Sequence, residues 1–505
     1  MTDNARTAPL ELSADEFRRL GHRLVDRLAD VLASLPSRPV TRHDTRASIR
    51  AVVGDGSLPD SGADASAILD ETADVLAEHS LFNGHPRFMG YITSSAAPIG
   101  ALGDLMASAF NPNVGAWILS PAASGIEAQT VRWVAELVGY PPSCGGLLVS
   151  GGNMANFVGF LAARASKAPW KIREQGLRGG PGRLTAYVSQ ATHTWIHKAA
   201  DLFGHGTDAI RWIPVDAHQR MDVAALERQL VSDRAAGDVP FIVVGTAGTV
   251  EVGAVDPLRD ISAVCRQHDV WFHVDGAYGA PAAVLPEAPE DLKSLALADS
   301  VAVDPHKWLY AALEAGCVLV RDPHTLVRTF SHRPDYYFFD RSQDDGPINY
   351  FEMGLQNSRG FRALRVWLAL RQVGRQGYVQ MIRDDVALAR QLFELATATP
   401  ELEAVTHNLS ITTFRFVPRD LRSGGEHVET YLNTLNTALL ERVEAGGEVF
   451  VSNAVVDGTF LLRACIVNFR TTPADIAAVP DIVVRVGREL DAAMRPEELR
   501  NRAPA

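Results

Sequence analysis

The chain has 505 residues, 47% of them hydrophobic, and a formal net charge of -12 at pH 7. This length and hydrophobic content predict a globular protein with more than one domain, or with one large domain and appendages. The acidic balance excludes non-specific binding to nucleic acid or to an anionic membrane, because both need a basic surface.

The cysteines and the N-terminus indicate where such a protein would reside. The four cysteines stand far apart and lack the paired spacings of zinc sites or of disulfide-rich domains. The N-terminus has no apolar stretch of signal-peptide length, and no run of about 18 apolar residues occurs elsewhere. We therefore expect a cytoplasmic protein without a metal site and without a membrane span.

The N-terminal region predicts a helical appendage over residues 1–85. Residues 13–35 have helical periodicity, with Phe17, Leu20 and Leu28 among the apolar residues on one side, behind a capping box of Ser13 and Glu16. Residues 36–64 are rich in Pro, Gly, Ser and Asp, which predicts a linker, and a further helix follows over about 65–78. An amphipathic helix this early in the chain needs a surface to pack on.

Short apolar runs then alternate with helical patterns, which indicates a mostly parallel sheet covered by helices on both faces. We assign this seven-stranded sheet to a large domain over residues 86–375. The predicted strands are 147–149, 184–188, 210–215, 241–244, 270–274, 300–303 and 317–320.

After a helix around 360–370 the pattern changes. Strands are predicted at 411–417, 449–455 and 460–468, and helices at about 376–397, 425–445 and 473–494. The last two strands are separated by a segment containing Asp457-Gly458, a strong hairpin signal. These elements predict a small α+β domain over residues 376–505.

Four chemically useful residues fall at or just after the predicted strand ends: Gly151, Thr246, Asp275 and Lys307. Ligands bind at the carboxyl ends of the strands in parallel sheets, so we expect these residues to meet at one place.

The segment from Gly151 to Asn156 follows a strand and opens a helix. Backbone N–H groups and the positive end of the helix dipole converge there, so Gly151, Gly152 and Asn153 could hold a phosphate group. A Gly-Gly pair before a helix is, however, more often only a tight turn.

Asp275 and Lys307 together predict a pyridoxal 5'-phosphate (PLP) site. An aspartate that ends an apolar strand needs a partner, and a protonated pyridine nitrogen is such a partner, although structural capping is the alternative. Ala277 would leave space beneath the ring. The chain has only five lysines, and Lys307 would bind the aldehyde carbon. Burial beside Trp308 would lower the lysine pKa from its usual value of about 10.4.

Two further segments are candidates for contact with substrate. His193 follows a strand and could lie flat over the pyridine ring and reach a substrate carboxylate. Residues 333–349 form a long aromatic and acidic stretch typical of a lid, and either Tyr336 or Tyr337 could deliver a proton to the substrate α-carbon. The alternative is that these aromatic residues only fix a loop to the surface.

These motifs, in this order, resemble those of the group II PLP-dependent amino-acid decarboxylases, over nearly the whole chain. The matching segments are HPRF from His85, SPA from Ser120, GGNMAN from Gly151, the stretch around His193, GTAGT around Thr246, HVDGAYG from His273, PHKW from Pro305 and RGFR from Arg359.

The resemblance implies a fold-type I enzyme that is an obligate homodimer, with the active site between the subunits and the N-terminal helices wrapped around the partner chain. It implies that His193 stacks on the cofactor ring, Asp275 pairs with the ring nitrogen, Thr246 lies near the cofactor and His306 lies by the phosphate. The lid tyrosine would come from the other subunit.

The implied activity is decarboxylation of an L-amino acid to the amine and carbon dioxide. One departure is Asp304, where the aromatic decarboxylases carry asparagine, because a second anion near a phosphate repels it unless hydrogen bonding or protonation compensates. Asn83, Asn113 and Gly115 stand near positions that are bulky and apolar in the animal aromatic enzymes.

An aromatic substrate is our first expectation. The alternatives are an acidic or diamino substrate, oxidative decarboxylation to an aldehyde, and a catalytically silent regulatory homologue. Retention of Lys307, Asp275 and His193 argues against the last of these.

Overall fold

A computed structural model describes residues 8–332, 348–422 and 424–500 of the chain. The helices are α1 (Ala14–Ser34), α2 (Arg46–Val53), α3 (Ala65–His79), α4 (Pro98–Phe110), α5 (Pro121–Leu137), α6 (Gly152–Lys167), α7 (Ile172–Gln175), α8 (Trp195–Leu202), α9 (Val223–Ala235), α10 (Leu258–Gln267), α11 (Glu290–Lys293), α12 (Pro323–Phe330), α13 (Ala363–Ala398), α14 (Glu426–Gly446), α15 (Pro473–Met494) and α16 (Glu497–Arg500).

The strands belong to two separate sheets. They are β1 (Gly145–Val149), β2 (Leu184–Ser189), β3 (Ile210–Ile213), β4 (Val239–Thr246), β5 (Trp271–Asp275), β6 (Ser300–Val303), β7 (Gly316–Val320), β8 (Leu402–Asn408), β9 (Ile411–Phe416), β10 (Ser452–Val456) and β11 (Thr459–Cys465).

The larger sheet has the strand order β1-β7-β6-β5-β4-β2-β3. Its pairs from β3 to β6 are parallel, whereas β7 runs antiparallel to both β1 and β6. Alternate residues of the strands enter two hydrophobic clusters, one on each face: Val243 packs with α9 and α10 residues, and Ile242 with residues of α6 and α8. The sheet is therefore covered by helices on both faces, as the sequence predicts, and fold-type I is confirmed.

The smaller sheet has the order β10-β11-β9-β8 and is antiparallel throughout. Its hairpin turns at Asp457 and Gly458, whose φ angles of 47° and 79° are those that the Asp-Gly pair favours. Helices α13, α14 and α15 pack around it. Gly374, with φ 65°, interrupts α13 between the two helices that the sequence predicts there.

Helix α2 and strand β8 differ from the sequence prediction. Helix α2 lies within residues 36–64, which the composition predicts to be a linker, and Thr45 caps it through a capping box with Ser48. Strand β8 was not predicted; it lies at the edge of the smaller sheet, where its residues alternate only weakly between buried and exposed. At α1 the Ser13 side chain accepts a hydrogen bond from the Glu16 backbone N–H at 3.2 Å, which is one of the two bonds of the predicted capping box.

The segment before the larger sheet is tied to the smaller one. The Met89 backbone N–H donates to the Phe450 carbonyl at 2.7 Å, and the Cys465 N–H donates to the Met89 carbonyl at 2.8 Å. The Thr471 hydroxyl donates to the Pro86 carbonyl at 2.7 Å. The predicted domain boundaries at residues 85 and 375 stay predictions.

Helix α1 leaves much of its apolar side open in the single chain. Leu20 is buried, but Phe17, Leu28 and Leu32 are 55%, 46% and 40% exposed. Within the described ranges, the chain contains no helix that is both long and apolar enough to cross a membrane.

Candidate active site

A cavity of about 450 Å³ opens at the carboxyl ends of β4, β5 and β6. Its lining includes every predicted site residue that the structure describes: Gly151, Gly152, Asn153, His193, Thr246, Asp275, Ala277, Asp304, His306 and Lys307. Tyr336 and Tyr337 lie outside the described residues. The structure therefore brings together residues that are up to 156 positions apart in the sequence, as expected for one edge of a parallel sheet.

The turn before α6 accepts glycine only. Gly151 has φ 143°, a conformation that side chains rarely adopt, and a Cβ on the facing Gly316 would come within 2.6 Å of the Gly151 backbone. A Cβ on Gly152 would meet Asp304 Oδ2 at 2.6 Å. The first residues of the 16-residue helix α6 thus line the cavity, and a helix N-terminus at a cavity is an arrangement suited to a phosphate group.

Asp275 ends β5 as a buried carboxylate that accepts three hydrogen bonds. Its Oδ2 accepts from Trp195 Nε1 at 2.8 Å and from Asn156 Nδ2 at 3.1 Å, and its Oδ1 accepts from the Ala277 backbone N–H at 3.2 Å. The side chain lines the cavity and is 6% exposed. Three donors hold this group as an acceptor, which suits pairing with a protonated nitrogen.

Lys307 lies against Asp304 rather than in the apolar surroundings expected beside Trp308. The Lys307 Nζ atom is 3.2 Å from Asp304 Oδ2, and the Asp304 side chain is 2% exposed. The Trp308 indole instead donates to Asp385 Oδ2 at 2.8 Å and stacks on the ring of Tyr278. The prediction of an apolar environment for the amine is therefore wrong. The Lys307 backbone N–H donates to the Asp304 carbonyl, and this tight turn brings the amine to the carboxylate of Asp304.

Both histidines of the site have their Nδ1 atoms occupied as acceptors. The Trp195 backbone N–H donates to His193 Nδ1 at 3.2 Å, and the Ala315 N–H donates to His306 Nδ1 at 3.1 Å. Burial lowers the pKa of both imidazoles. Each ring is therefore neutral near pH 7 and carries its proton on Nε2. The Nε2 atom of His306 lies 3.7 Å from Asp304 Oδ2.

Two buried oxygens at the cavity have no hydrogen-bond partner among the described residues. They are Thr246 Oγ1 and Asp304 Oδ1. The backbone of Thr246 is held by Asp256, whose Oδ2 accepts from the Thr246 N–H at 2.7 Å, and burial raises the pKa of Asp256 to about 6. Buried polar atoms are normally paired, so these two oxygens point to a polar ligand in the cavity.

The residues present fit PLP. The glycine turn and α6 could hold its phosphate, Asp275 could pair with its pyridine nitrogen and Lys307 could bind its aldehyde carbon. Asp304, which lies beside Gly152 in the glycine turn, carries a charge that opposes a phosphate there.

Sequence reasoning missed several residues that support the site. Asn156 lines the cavity and donates a hydrogen bond to Asp275. The sequence places Asn156 in the GGNMAN motif but does not predict this hydrogen bond. Arg359, known only as part of the RGFR motif, forms a buried ion pair with Glu127 and donates to the Leu148 carbonyl in β1. Neither contact has a local sequence signal, because the partners are more than 100 residues apart.

Comparison with known proteins identifies the family. The profile of the pyridoxal-dependent decarboxylase conserved domain matches residues 50–417, well over half of the chain. The chain belongs to the pyridoxal-dependent decarboxylases. This group II decarboxylase uses PLP as its cofactor and is a carboxy-lyase.

Similar proteins include enzymes of two activities. The aromatic-L-amino-acid decarboxylase of Bacillus atrophaeus is 34% identical to this decarboxylase, over 93% of this chain and 95% of the relative. The crystal structure of Oryza sativa TDC with PLP and tryptamine superposes with a TM-score of 0.88 at 28% identity, over 96% of this chain and 100% of that chain. The phenylacetaldehyde synthase of Petunia hybrida is 28% identical over 90% of each protein.

Proposed function

We propose that this decarboxylase converts an aromatic L-amino acid to the corresponding amine and carbon dioxide. The observation that carries the proposal is the single cavity into which Lys307, Asp275 and His193 all project. Similarity to aromatic decarboxylases over more than nine tenths of the chain supports the substrate class.

PLP supplies, when bound, an electron sink for the bond between the α-carbon and the carboxylate. Lys307 provides a primary amine, and Asp275, whose carboxyl group is fixed by three donors, would hold a proton at the pyridine nitrogen. His193 presents the N–H of Nε2 from a neutral ring, which can bind the substrate carboxylate and orient it. Tyr336 and Tyr337 remain the candidates for the group that returns a proton to the α-carbon.

The apolar part of the cavity supports an aromatic side chain over an acidic one. Ile92, Val250 and Leu313 line it together with the ring of Tyr278. Lys307 is the one lysine or arginine in the described lining, and the proposed chemistry already uses its amine. Glu314, also in the lining, would repel an acidic substrate.

The test is turnover by PLP-loaded protein on a panel of aromatic, acidic and diamino L-amino acids, with the product identified by mass and with carbon dioxide and peroxide recorded. We expect an amine and equimolar carbon dioxide from an aromatic substrate, without peroxide. Lys307→Ala should abolish turnover, whereas the control Lys171→Ala, at a side chain that is 74% exposed, should not. Amine from only acidic or diamino substrates would refute the substrate class.

A second candidate is oxidative decarboxylation to an aldehyde. It is favoured by the similarity to Petunia phenylacetaldehyde synthase and to the Rhodiola rosea 4-hydroxyphenylacetaldehyde synthase, whose structure superposes with a TM-score of 0.83 at 26% identity over 97% of this chain and 100% of that chain. Aldehyde with peroxide from the wild-type protein would establish it. If instead the amine forms, Tyr336→Phe and Tyr337→Phe separately tell which hydroxyl is needed for that outcome.

We also propose that the decarboxylase is a homodimer with a shared active site. The support is the exposed apolar side of α1 together with Leu105 and Phe110 of α4 and Ile118, which are 50%, 83% and 61% exposed. Surfaces of this kind mark interfaces. Light scattering of the eluted full chain should give twice the 54.7 kDa of one chain, and a monomer that turns over substrate would refute the shared site.

A cytoplasmic location is proposed as well, supported by the four unpaired cysteines.

A further inference from the structure

A chain of buried hydrogen bonds leads from Asp275 into the protein through Asn156, which itself lines the cavity. Asn156 Nδ2 bonds Asp275 Oδ2 at 3.1 Å, and Asn156 Oδ1 lies 2.7 Å from His273 Nε2. His273 Nδ1 lies 2.7 Å from Ser300 Oγ, which accepts a hydrogen bond from Trp271 Nε1 at 2.9 Å. This chain of side chains, from Trp271 to Asp275, is called the relay below.

The direction of every hydrogen bond in the relay follows from chemistry. The Trp195 indole and the Ala277 backbone can only donate, and they reach one oxygen each of Asp275, so both oxygens accept. Asn156 turns its NH₂ group to Asp275 Oδ2 and its carbonyl oxygen to His273 Nε2, which is the orientation that an ionised Asp275 requires.

A carbonyl oxygen needs a donor, so His273 carries its proton on Nε2. Its Nδ1 is left as an acceptor, and the Ser300 hydroxyl donates to it. For a neutral ring, the relay is consistent only with this tautomer of His273.

Burial prevents water from replacing any member of the relay. His273 and Ser300 are fully buried, and Asn156 is 1% exposed. Burial also lowers the pKa of His273 to about 4, so the ring is neutral near pH 7. Gly159 of α6 leaves the room for that ring, since a Cβ there would lie 2.7 Å from His273 Cε1.

We propose that His273 is a positioning residue which, by fixing the Asn156 amide, keeps Asp275 ionised and so sets the protonation of the pyridine nitrogen of bound PLP. The inference rests on the proposed pairing of Asp275 with that nitrogen. Without a donor at Nε2 the Asn156 amide is free to turn, and its oxygen would then face the Asp275 oxygen at the 3.1 Å now spanned by a hydrogen bond. Two oxygens at that distance repel, which favours protonation of Asp275 and loss of the proton from the pyridine nitrogen.

The test compares two amide replacements of His273. His273→Gln can place its NH₂ near the position of Nε2, whereas His273→Asn places its amide near Nδ1 and leaves Asn156 without a donor. Each holoenzyme is prepared with PLP labelled with ¹⁵N in the ring, and the ¹⁵N chemical shift and the PLP dissociation constant are measured. Circular dichroism checks the fold.

For His273→Asn we expect the ¹⁵N shift to move toward that of unprotonated pyridine and PLP to bind at least tenfold more weakly. His273→Gln should keep the wild-type shift and bind PLP within about threefold of wild type. A wild-type shift in folded His273→Asn would overturn the inference, and so would equal effects of the two replacements.

Asp275→Asn separates this outcome from failure of the proposed pairing. If Asp275→Asn leaves the ¹⁵N shift unchanged, the pairing itself is wrong; if it moves the shift and His273→Asn does not, only the relay is wrong. Should neither His273 variant fold, neutron diffraction of the wild-type holoenzyme decides, with deuterium on Nε2 expected and deuterium on Nδ1 overturning the inference.

Discussion

The buried ion pair of Arg359 and Glu127 should make a measurable contribution to the stability of the larger sheet. The two side chains are 1% and 0% exposed. The Arg359 guanidinium also donates to the carbonyls of Val114, at 3.0 Å, and Leu148, and lies over the Tyr350 ring. Replacing it by methionine leaves a buried carboxylate without its cation and two carbonyls without a donor.

Breaking a buried pair in this way costs about 3 to 5 kcal/mol in the free energy of unfolding. For a chain of 505 residues, about 1 kcal/mol corresponds to about 1 °C in Tm, so Arg359→Met should lower Tm by about 3 to 5 °C. Calorimetry of the PLP-saturated proteins at one scan rate measures the difference, since bound cofactor itself raises Tm.

The double variant Glu127→Met with Arg359→Met tests the cause. Two apolar side chains of similar volume remove the uncompensated charge, so the double variant should recover most of the lost stability. A Tm of Arg359→Met equal to that of the wild type would refute the argument. A double variant no more stable than Arg359→Met would show that the isolated carboxylate is not the cause.

Three further substitutions test the cofactor edge and the buried charges. Gly152→Ala, whose added methyl meets Asp304 Oδ2 at 2.6 Å, should weaken PLP binding in equilibrium dialysis at least tenfold, whereas the control Gly125→Ala has no atom within 4 Å of its methyl and should bind PLP normally. Asp304→Asn removes a negative charge beside the expected phosphate position and should tighten PLP binding several-fold; weaker binding would contradict the repulsion. Burial raises the pKa of Asp385 from 3.8 to about 7, so the wild type should lose stability relative to Asp385→Asn as pH rises from about 4 to about 7. An equal difference in unfolding free energy at about pH 5 and about pH 8 would contradict this assignment.

The sequence predicts the larger sheet and its ligand edge well because each central strand is a short apolar run buried on both faces. Such a run is followed by a polar residue or a glycine. Thr246 and Asp275 close β4 and β5, and Gly151 follows β1 by two positions. The position of these residues at strand ends was therefore enough to place them at one cavity.

The supporting contacts were not predictable in the same way. Asn156 points to Asp275 across 119 positions, and Arg359 reaches Glu127 across 232. Neither pairing leaves a periodic pattern, because each depends on how distant elements pack. Strand β8 was missed because, as an edge strand, it has no continuous apolar run.

Residues 86–89 cannot attach to the smaller sheet until that sheet has been synthesised. Pro86 and its partner Thr471 are 385 residues apart. At 5–20 residues per second a ribosome needs roughly 20 to 80 s to add the intervening chain. During that interval Phe88 and Met89, which are buried in the folded protein, lack the segment around Phe450 and Cys465 that contacts them. A nascent decarboxylase thus carries this apolar segment without its partners until fewer than about 60 residues remain to be added.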